Sequence, residues 1–215
     1  QKGNIKDPNS HNGQGINPNV AGHTGNIHVE ATNGDMTFFA GSRASSFVHI
    51  GNGGYTSSGN HSGDVTVIAG GDITLDRKVI ADPATRGTAD NSYVMIGNGG
   101  NRSGGAFSGN IVVDAGGNMR MQAGDNTAFA QVGHGGFADG GGWNSTNMNA
   151  RNAYATLSGD IDITTGGDFA MYSGSNDGNA YSMVGHGGTY RISSGESGTG
   201  SSDSRLFGNF SENSR

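Results

Sequence analysis

The stretch that decides the fold is Gly109-Asn110-Ile111-Val112-Val113-Asp114-Ala115-Gly116-Gly117-Asn118-Met119-Arg120-Met121. It contains two short runs in which every second residue is apolar, and each run follows a glycine and an asparagine. Alternation with period two is typical of a strand with one buried face. Glycine paired with asparagine is typical of a tight turn. A third run, 129–132, ends in Gly-His-Gly-Gly at 133–136. The stretch therefore predicts three short strands separated by corners.

The same three-strand pattern occurs four times. The copies, called repeats 1 to 4, are residues 25–54, 63–100, 109–136 and 159–188. The strands keep their length, whereas insertions fall between the second and third strands and after the double glycine. Insertions at fixed points are typical of loops on a stacked scaffold.

One repeat alone cannot bury its apolar side chains, but four stacked repeats form a continuous interior. We therefore expect an all-β parallel β-helix (a β-solenoid) of about four three-stranded coils with variable loops. An antiparallel sandwich or a propeller-like array is the alternative. The residues expected to point inward are Ile27, Val29, Val65, Val67, Ile111, Val113, Ile161 and Ile163 in the first strands, Met36, Phe38, Ile73, Leu75, Met119, Met121, Phe169 and Met171 in the second, and Val48, Ile50, Val94, Ile96, Ala130, Val132, Ser182 and Val184 in the third.

The pattern divides the chain into three parts. Residues 1–24 form an N-terminal extension that could dock as a strand on a neighbouring subunit, 25–188 form the solenoid, and 189–215 are a Gly/Ser-rich segment with a possible terminal half-repeat. No polar capping helix is evident, and an uncapped stack exposes unpaired backbone. Either the chain belongs to a longer array, or copies stack end to end into a homo-oligomeric filament.

Composition excludes several classes of protein. Glycine accounts for 42 of 215 residues, and there is no cysteine, which rules out disulfides and thiolate metal sites. A net charge of −6 offers no basic footprint for nucleic acid. No apolar run reaches the roughly 20 residues of a membrane span, so no membrane insertion is expected. No cofactor motif is present.

The phrases Val-Ile-Ala-Gly-Gly-Asp-Ile at 67–73 and Val-Gly-His-Gly-Gly at 132–136 resemble the repeats of filamentous-haemagglutinin-type giant surface proteins of Gram-negative bacteria. The resemblance covers roughly residues 25 to 188. It implies a right-handed parallel β-helix at the cell surface that serves in adhesion or in building extracellular fibres.

His134 and His186 occupy the position that Asn52 and Asn98 hold in repeats 1 and 2. Two imidazoles one strand spacing apart are weak candidates for a shared metal. Asn and His are also enriched at positive φ. We therefore favour a turn ladder of these four residues, with no metal.

Phe47, Tyr93, Phe129 and Tyr181 begin the third strands at outward positions, which predicts an exposed aromatic column on the rod. Such a stripe marks a ligand or interface surface, and aromatic rings can stack on sugars. The alternatives are that loops cover the column or that the parity of the strand changes locally. Trp143, in the longest insertion, either pins that loop or contacts a ligand.

Asn or Asp follows both corner glycines of each repeat, and these residues are expected to form hydrogen-bonded ladders rather than a calcium site. No grouping of acids, no Ser/His/Asp set and no phosphate loop indicates catalysis. We therefore expect a non-enzymatic, extracellular structural or adhesive protein. The alternatives are a carbohydrate-binding module and, third, a polysaccharide-active β-helix enzyme.

Overall fold

The structure, a computed structural model, describes residues 21–41, 46–55, 57, 59–77, 92–101, 103–124, 128–136, 138–139, 156–173, 180–192 and 203–207. Every regular element in these ranges is a β-strand. In chain order the strands are β1 (Ile27–Ala31), β2 (Met36–Phe39), β3 (Phe47–Ile50), β4 (His61–Ser62), β5 (Val65–Ala69), β6 (Ile73–Asp76), β7 (Tyr93–Ile96), β8 (Phe107–Ser108), β9 (Ile111–Ala115), β10 (Met119–Gln122), β11 (Phe129–Val132), β12 (Ala138–Asp139), β13 (Leu157–Ser158), β14 (Ile161–Thr165), β15 (Phe169–Tyr172), β16 (Ser182–Val184), β17 (Gly188–Ile192) and β18 (Asp203–Phe207).

Three four-stranded parallel sheets carry the fold, one for each strand of the repeat. Their strand orders are β1-β5-β9-β14, β2-β6-β10-β15 and β3-β7-β11-β16. Equivalent residues lie opposite one another, as in the series Ile27, Val65, Ile111 and Ile161. The predicted all-β architecture with stacked parallel strands is confirmed, and the antiparallel alternatives are wrong for these sheets. Such a set of equivalent residues in successive repeats is called a column below.

The inward columns form one hydrophobic cluster between the three sheets. Its members in repeats 2 and 3, such as Val67, Leu75 and Met121, are fully buried. Each such side chain contributes roughly 1.5–3 kcal/mol relative to an exposed one. In repeat 4, however, Phe169 is 43% and Met171 40% exposed. Within the described part of the chain, the core is therefore closed in the middle and open at the C-terminal end.

The strands outside the three main sheets were not predicted. A two-residue strand precedes the first strand in repeats 2 to 4, and these strands (β4, β8 and β13) form their own parallel ladder. In addition, β18 pairs with β17 antiparallel, within the segment predicted as Gly/Ser-rich. The predicted N-terminal extension up to residue 20 and the possible half-repeat at 208–211 lie outside the described residues.

The corners between strands need glycine for a steric reason. Gly109 has φ +131°, a conformation that other residues rarely adopt, and a Cβ at this position would collide with the carbonyl oxygen of Gly63 in the neighbouring repeat. The corner column consists of glycines in all four repeats because the backbones of successive corners nearly touch.

Candidate functional site

The four aromatic residues of the third strands form one continuous stack. The ring centroids of Phe47 and Tyr93 are 5.0 Å apart, those of Tyr93 and Phe129 4.8 Å, and those of Phe129 and Tyr181 5.1 Å, with neighbouring planes within 4° of parallel. The in-register parallel strands β3, β7, β11 and β16 impose this spacing because the strand separation in a sheet is about 4.8 Å. The sequence placed these residues in one column, and the structure brings them together.

The prediction that this column is exposed is wrong for its centre. Tyr93 and Phe129 are fully buried and form a second, smaller cluster with Met95 on the outer side of the sheet. The double glycines and the residues after them lie against the column. Tyr55 stacks on Phe47 at 6.5 Å, and Gly100 lies next to the Tyr93 hydroxyl. The strand parity was therefore correct, but the loops exclude water. Burial raises the pKa of Tyr93.

Only the ends of the aromatic column reach solvent. Phe47 is 43% exposed, and Tyr181 is half-buried. The Tyr181 hydroxyl donates to Oε1 of Gln131 at 3.2 Å, and Nε2 of Gln131 donates to the carbonyl oxygen of Gly187 at 3.0 Å. The column therefore cannot serve as a continuous ligand surface along the rod. Trp143 lies outside the described residues.

The corner residues Asn52, Asn98, His134 and His186 form a ladder that links neighbouring repeats. Each backbone N–H donates to the side chain of the next repeat: Asn52 to Oδ1 of Asn98 at 2.8 Å, Asn98 to Nδ1 of His134 at 2.9 Å, and His134 to Nδ1 of His186 at 3.0 Å. The two imidazoles stack with centroids 4.6 Å apart. Asn and His are interchangeable here because both place an acceptor at the same point.

The far nitrogen of each ladder side chain reaches across the repeat to a corner glycine. Nε2 of His134 lies 2.8 Å from the carbonyl oxygen of Gly109, and Nε2 of His186 lies 2.9 Å from that of Gly159. Both nitrogens of each ring are therefore hydrogen-bonded to backbone groups. Neither imidazole has a lone pair left for a metal ion shared by His134 and His186. Burial is the main cause that lowers the pKa of His134 to about 4; the hydrogen bond to the Gly109 carbonyl raises it, and the neighbouring His186 adds a smaller lowering effect.

The Asn and Asp residues after the corner glycines form two more ladders, with the opposite polarity. In the first, Oδ1 of Asn26 accepts from the N–H of Asp64, Oδ1 of Asp64 from that of Asn110, and Oδ1 of Asn110 from that of Asp160, at 2.8–3.1 Å. In the second, the same bonds run at 2.7–2.8 Å through Asp35, Asp72, Asn118 and Asp168. The carboxylates are thus used as backbone acceptors rather than converging on one point.

A column that the sequence analysis missed lies on the short strands. His61 is fully buried, stacks on His23 at 5.2 Å and on Phe107 at 5.6 Å, and accepts from the backbone N–H of His23 at Nδ1. Burial, with His23 and His49 nearby, lowers the pKa of His61 to about 4. A signal was present: His, Phe or Leu, then Thr or Ser, then Gly and Asx, occurs at 23–26, 61–64, 107–110 and 157–160.

The outward side of the second-strand sheet carries a different column. Phe39, Asp76, Gln122 and Tyr172 stand opposite one another, and the two rings at its ends are 53% and 49% exposed. Arg120, on the neighbouring outward position of β10, contacts members of this column. Its Nη1 is 3.5 Å from Oδ2 of Asp76, and its guanidinium is 5.3 Å from the Tyr172 ring centre. This is the mixed aromatic and polar outer surface of the described fold.

The outer edges of the stack are called here the N-terminal end face (the free edges of β1, β2 and β3) and the C-terminal end face (those of β14, β15 and β16). Among the described residues nothing pairs with these edges, whereas every strand between them is paired on both sides. The antiparallel strand β18 pairs with β17 only, so it leaves the C-terminal end face of the three main sheets open. The C-terminal end face therefore presents both unpaired strand backbone and exposed side chains of the core.

Comparison with known proteins gives no relative: no family model, no curated protein and no solved structure matches the chain. Within the described ranges, no three His, Asp or Glu side chains are placed to hold a metal ion. Nor does any helix in those ranges have the length and apolar character to span a bilayer. The columns and end faces are therefore interpreted from their own chemistry.

Proposed function

We propose that the chain is a closed β-solenoid of four coils that acts as a non-enzymatic, extracellular structural or adhesive rod. Copies of the rod stack head to tail into a filament, or the rod forms part of a giant surface adhesin. Its described polar ladders are used to join one repeat to the next rather than to bind a substrate.

A single observation supports this proposal best. Among the described residues, the three in-register parallel sheets end at β14, β15 and β16 in free strand edges, and the apolar interior is exposed at the same end, at Phe169, Met171 and Val184. Natural sheet proteins normally blunt or cover such edges because they pair with other chains. A heterologous contact between opposite ends does not close on itself, and therefore produces an open filament.

Electron microscopy of the purified protein over a range of concentrations tests this function. Fibres of constant width should lengthen with concentration, and each copy should add about 20 Å of stacked core, four strand spacings of about 4.8 Å. Particles that stay the size of one chain at every concentration would contradict filament formation.

Carbohydrate binding is a second candidate, supported by the outward column of Phe39, Asp76, Gln122 and Tyr172 rather than by the buried aromatic column. Exposed rings can stack on sugar faces, and the half-exposed guanidinium of Arg120 beside Tyr172 offers hydrogen-bond donors. A glycan array tests it. A genuine ligand should be lost in Tyr172→Ala and retained in Tyr181→Ala, and binding that is unaffected by Tyr172→Ala would contradict this surface.

A further inference from the structure

The two end faces of the stack present complementary hydrogen-bonding groups. Within the chain, the first-strand ladder joins neighbouring repeats by two bonds. Between repeats 1 and 2, the backbone N–H of Asp64 donates to Oδ1 of Asn26. In return, the backbone N–H of Ile27 in repeat 1 donates to the carbonyl oxygen of Asp64. At the C-terminal end face this leaves the carboxylate of Asp160 and the N–H of Ile161. At the N-terminal end face it leaves the N–H and carbonyl of Asn26.

The order of charges in the first ladder also continues across such a contact. Its members alternate as Asn26, Asp64, Asn110 and Asp160. Placing Asn26 of a second copy above Asp160 preserves the alternation, so that no two carboxylates become neighbours. Each ionised acceptor then meets a neutral residue, as it does inside the chain.

The corner ladder is complementary with the reverse polarity. The N–H of His134 donates to the side chain of His186, and among the described residues the N–H of His186 has no acceptor of this kind. At the opposite face, Nδ2 of Asn52 donates to the carbonyl oxygens of Gly25 and Ser62, and no ladder donor in the described ranges reaches its Oδ1. Stacked end to end, His186 of one copy and Asn52 of the next would form the pair that Asn52 and Asn98 form within the chain.

The apolar side chains match as well. Phe38, Leu75, Met121 and Met171 form one inward column, in which Phe38 ends at one face and Met171 at the other. Met171 is 40% exposed and Phe38 half-buried, while the two residues between them are fully buried. A second copy stacked in the same register would cover both.

From these features we propose that the partner of the C-terminal end face is the N-terminal end face of a second copy, docked as though it were a fifth repeat. In this junction β14, β15 and β16 pair in parallel with β1, β2 and β3 of the next copy. Asp160 faces Asn26, Asp168 faces Asp35, and His186 faces Asn52. The inference deepens the proposed function and rests on it, because it assigns the polarity and register of the filament contact.

Single-face variants test the polarity. Phe38→Lys places a charge in the N-terminal end face, and Met171→Lys places one in the C-terminal end face. Each variant alone should sediment as a monomer in analytical ultracentrifugation. An equimolar mixture should form a 1:1 dimer that grows no further, because one intact face remains on each variant. Circular dichroism and thermal melting must show that both variants are folded.

Matched controls carry the same charge on the outer surface. Phe39→Lys and Tyr172→Lys change the neighbouring residues of the same strands, whose side chains point away from the core, and both variants should assemble like the parent. Self-association of either single-face variant alone would overturn the head-to-tail junction. If the parent still formed fibres in that case, the structural function would stand and only the junction would fall. If the parent protein and the equimolar mixture of the two variants both stayed monomeric, the filament function and the head-to-tail junction would both be overturned.

The second ladder gives an independent test of the register. It runs Asp35, Asp72, Asn118 and Asp168, so the junction places the carboxylates of Asp168 and Asp35 one strand spacing apart. Asp168→Asn keeps the acceptor and removes this repulsion. The substitution is introduced into the Phe38→Lys chain, whose C-terminal end face is intact, and this chain is mixed with the Met171→Lys chain. At low salt, the dissociation constant of the resulting dimer should fall about fivefold, as expected when the repulsion between two unit charges at this distance in water is removed. Asp114→Asn, the same charge change within repeat 3, is the control. An equal effect of both substitutions, or none from Asp168→Asn, would contradict the register.

Discussion

The backbone N–H of Asn98 donates to Nδ1 of His134 at 2.9 Å, and the opposite nitrogen of the same ring lies 2.8 Å from the carbonyl oxygen of Gly109. An imidazole that accepts at Nδ1 and donates at Nε2 is neutral. The contact between repeats 2 and 3 therefore depends on a histidine that carries no charge. Between repeats 1 and 2, the side chain of Asn98 accepts the equivalent hydrogen bond from Asn52.

We expect acid to destabilise the protein through this ring. The pKa of His134 is lowered to about 4, chiefly by burial, below the ordinary value of 6.5. Between these two values the unfolded chain binds a proton that the folded chain does not, so the free energy of unfolding falls as the pH falls from about 6.5 to about 4. The full loss from this residue is about 3 kcal/mol. Urea unfolding at pH 7.5 and pH 4.5 measures it.

His134→Asn should reduce this pH dependence, since the amide keeps the acceptor without a titrating group. Asn98→His, the reverse exchange in the neighbouring repeat, should increase it. His61, whose pKa is also lowered to about 4 by burial, remains in both variants and maintains part of the effect. A pH dependence identical in parent and His134→Asn would show that the ring is not buried in its neutral form.

Removal of one ladder carboxylate should weaken the contact between two repeats. Oδ1 of Asp72 accepts from the N–H of Asn118 at 2.7 Å, and Asn118 Nδ2 approaches the same oxygen at 3.2 Å. Asp72→Ala should lower the free energy of unfolding by about 1.5–3 kcal/mol and speed hydrogen exchange at the Asn118 amide. Asp72→Asn should restore most of the loss. Asp162→Ala, which removes an exposed outward carboxylate, should change the stability by less than about 0.5 kcal/mol.

The aromatic column should behave as core rather than surface. Phe129 is fully buried between two rings, so Phe129→Ala should cost about 3–5 kcal/mol in urea unfolding. Phe47 ends the column and is partly exposed, so Phe47→Ala should lower the free energy of unfolding by only on the order of 1 kcal/mol. Equal, small effects at both positions would mean that the column is open to solvent along its length.

Corner glycines should tolerate no side chain. Gly109→Ala introduces a methyl group at φ +131° against the backbone of Gly63 and should cost more than about 2 kcal/mol. Gly34→Ala is the control, because that position has open space and no positive φ in this range, so its effect should stay within about 1 kcal/mol. A melting-temperature comparison of the two variants is sufficient. Equal shifts in the two variants would contradict close packing of the corners.

Much of the fold could be predicted because strand parity is a local property. Alternation in runs such as 111–113 and 119–121 identifies which side chains share a face, and the repeated Gly-Asx phrases place the corners. The short strands β4, β8 and β13 were overlooked because two residues carry no alternation. The antiparallel pairing of β18 with β17 was also missed, since β18 and all of β17 after Gly188 lie outside the repeat.

The sequence by itself determined four equivalent strand sets and favoured their stacking into columns in a parallel register over an antiparallel one, because a repeated pattern places equivalent residues in equivalent positions. Only the tertiary structure decided which columns meet water, in which direction each ladder donates, and what the end faces offer. Those properties depend on where loops of unequal length lie and on which backbone groups have already found partners, and residue spacing encodes neither. Tyr93 shows the difference: its outward direction follows from the sequence, whereas its burial follows from segments that pack over it.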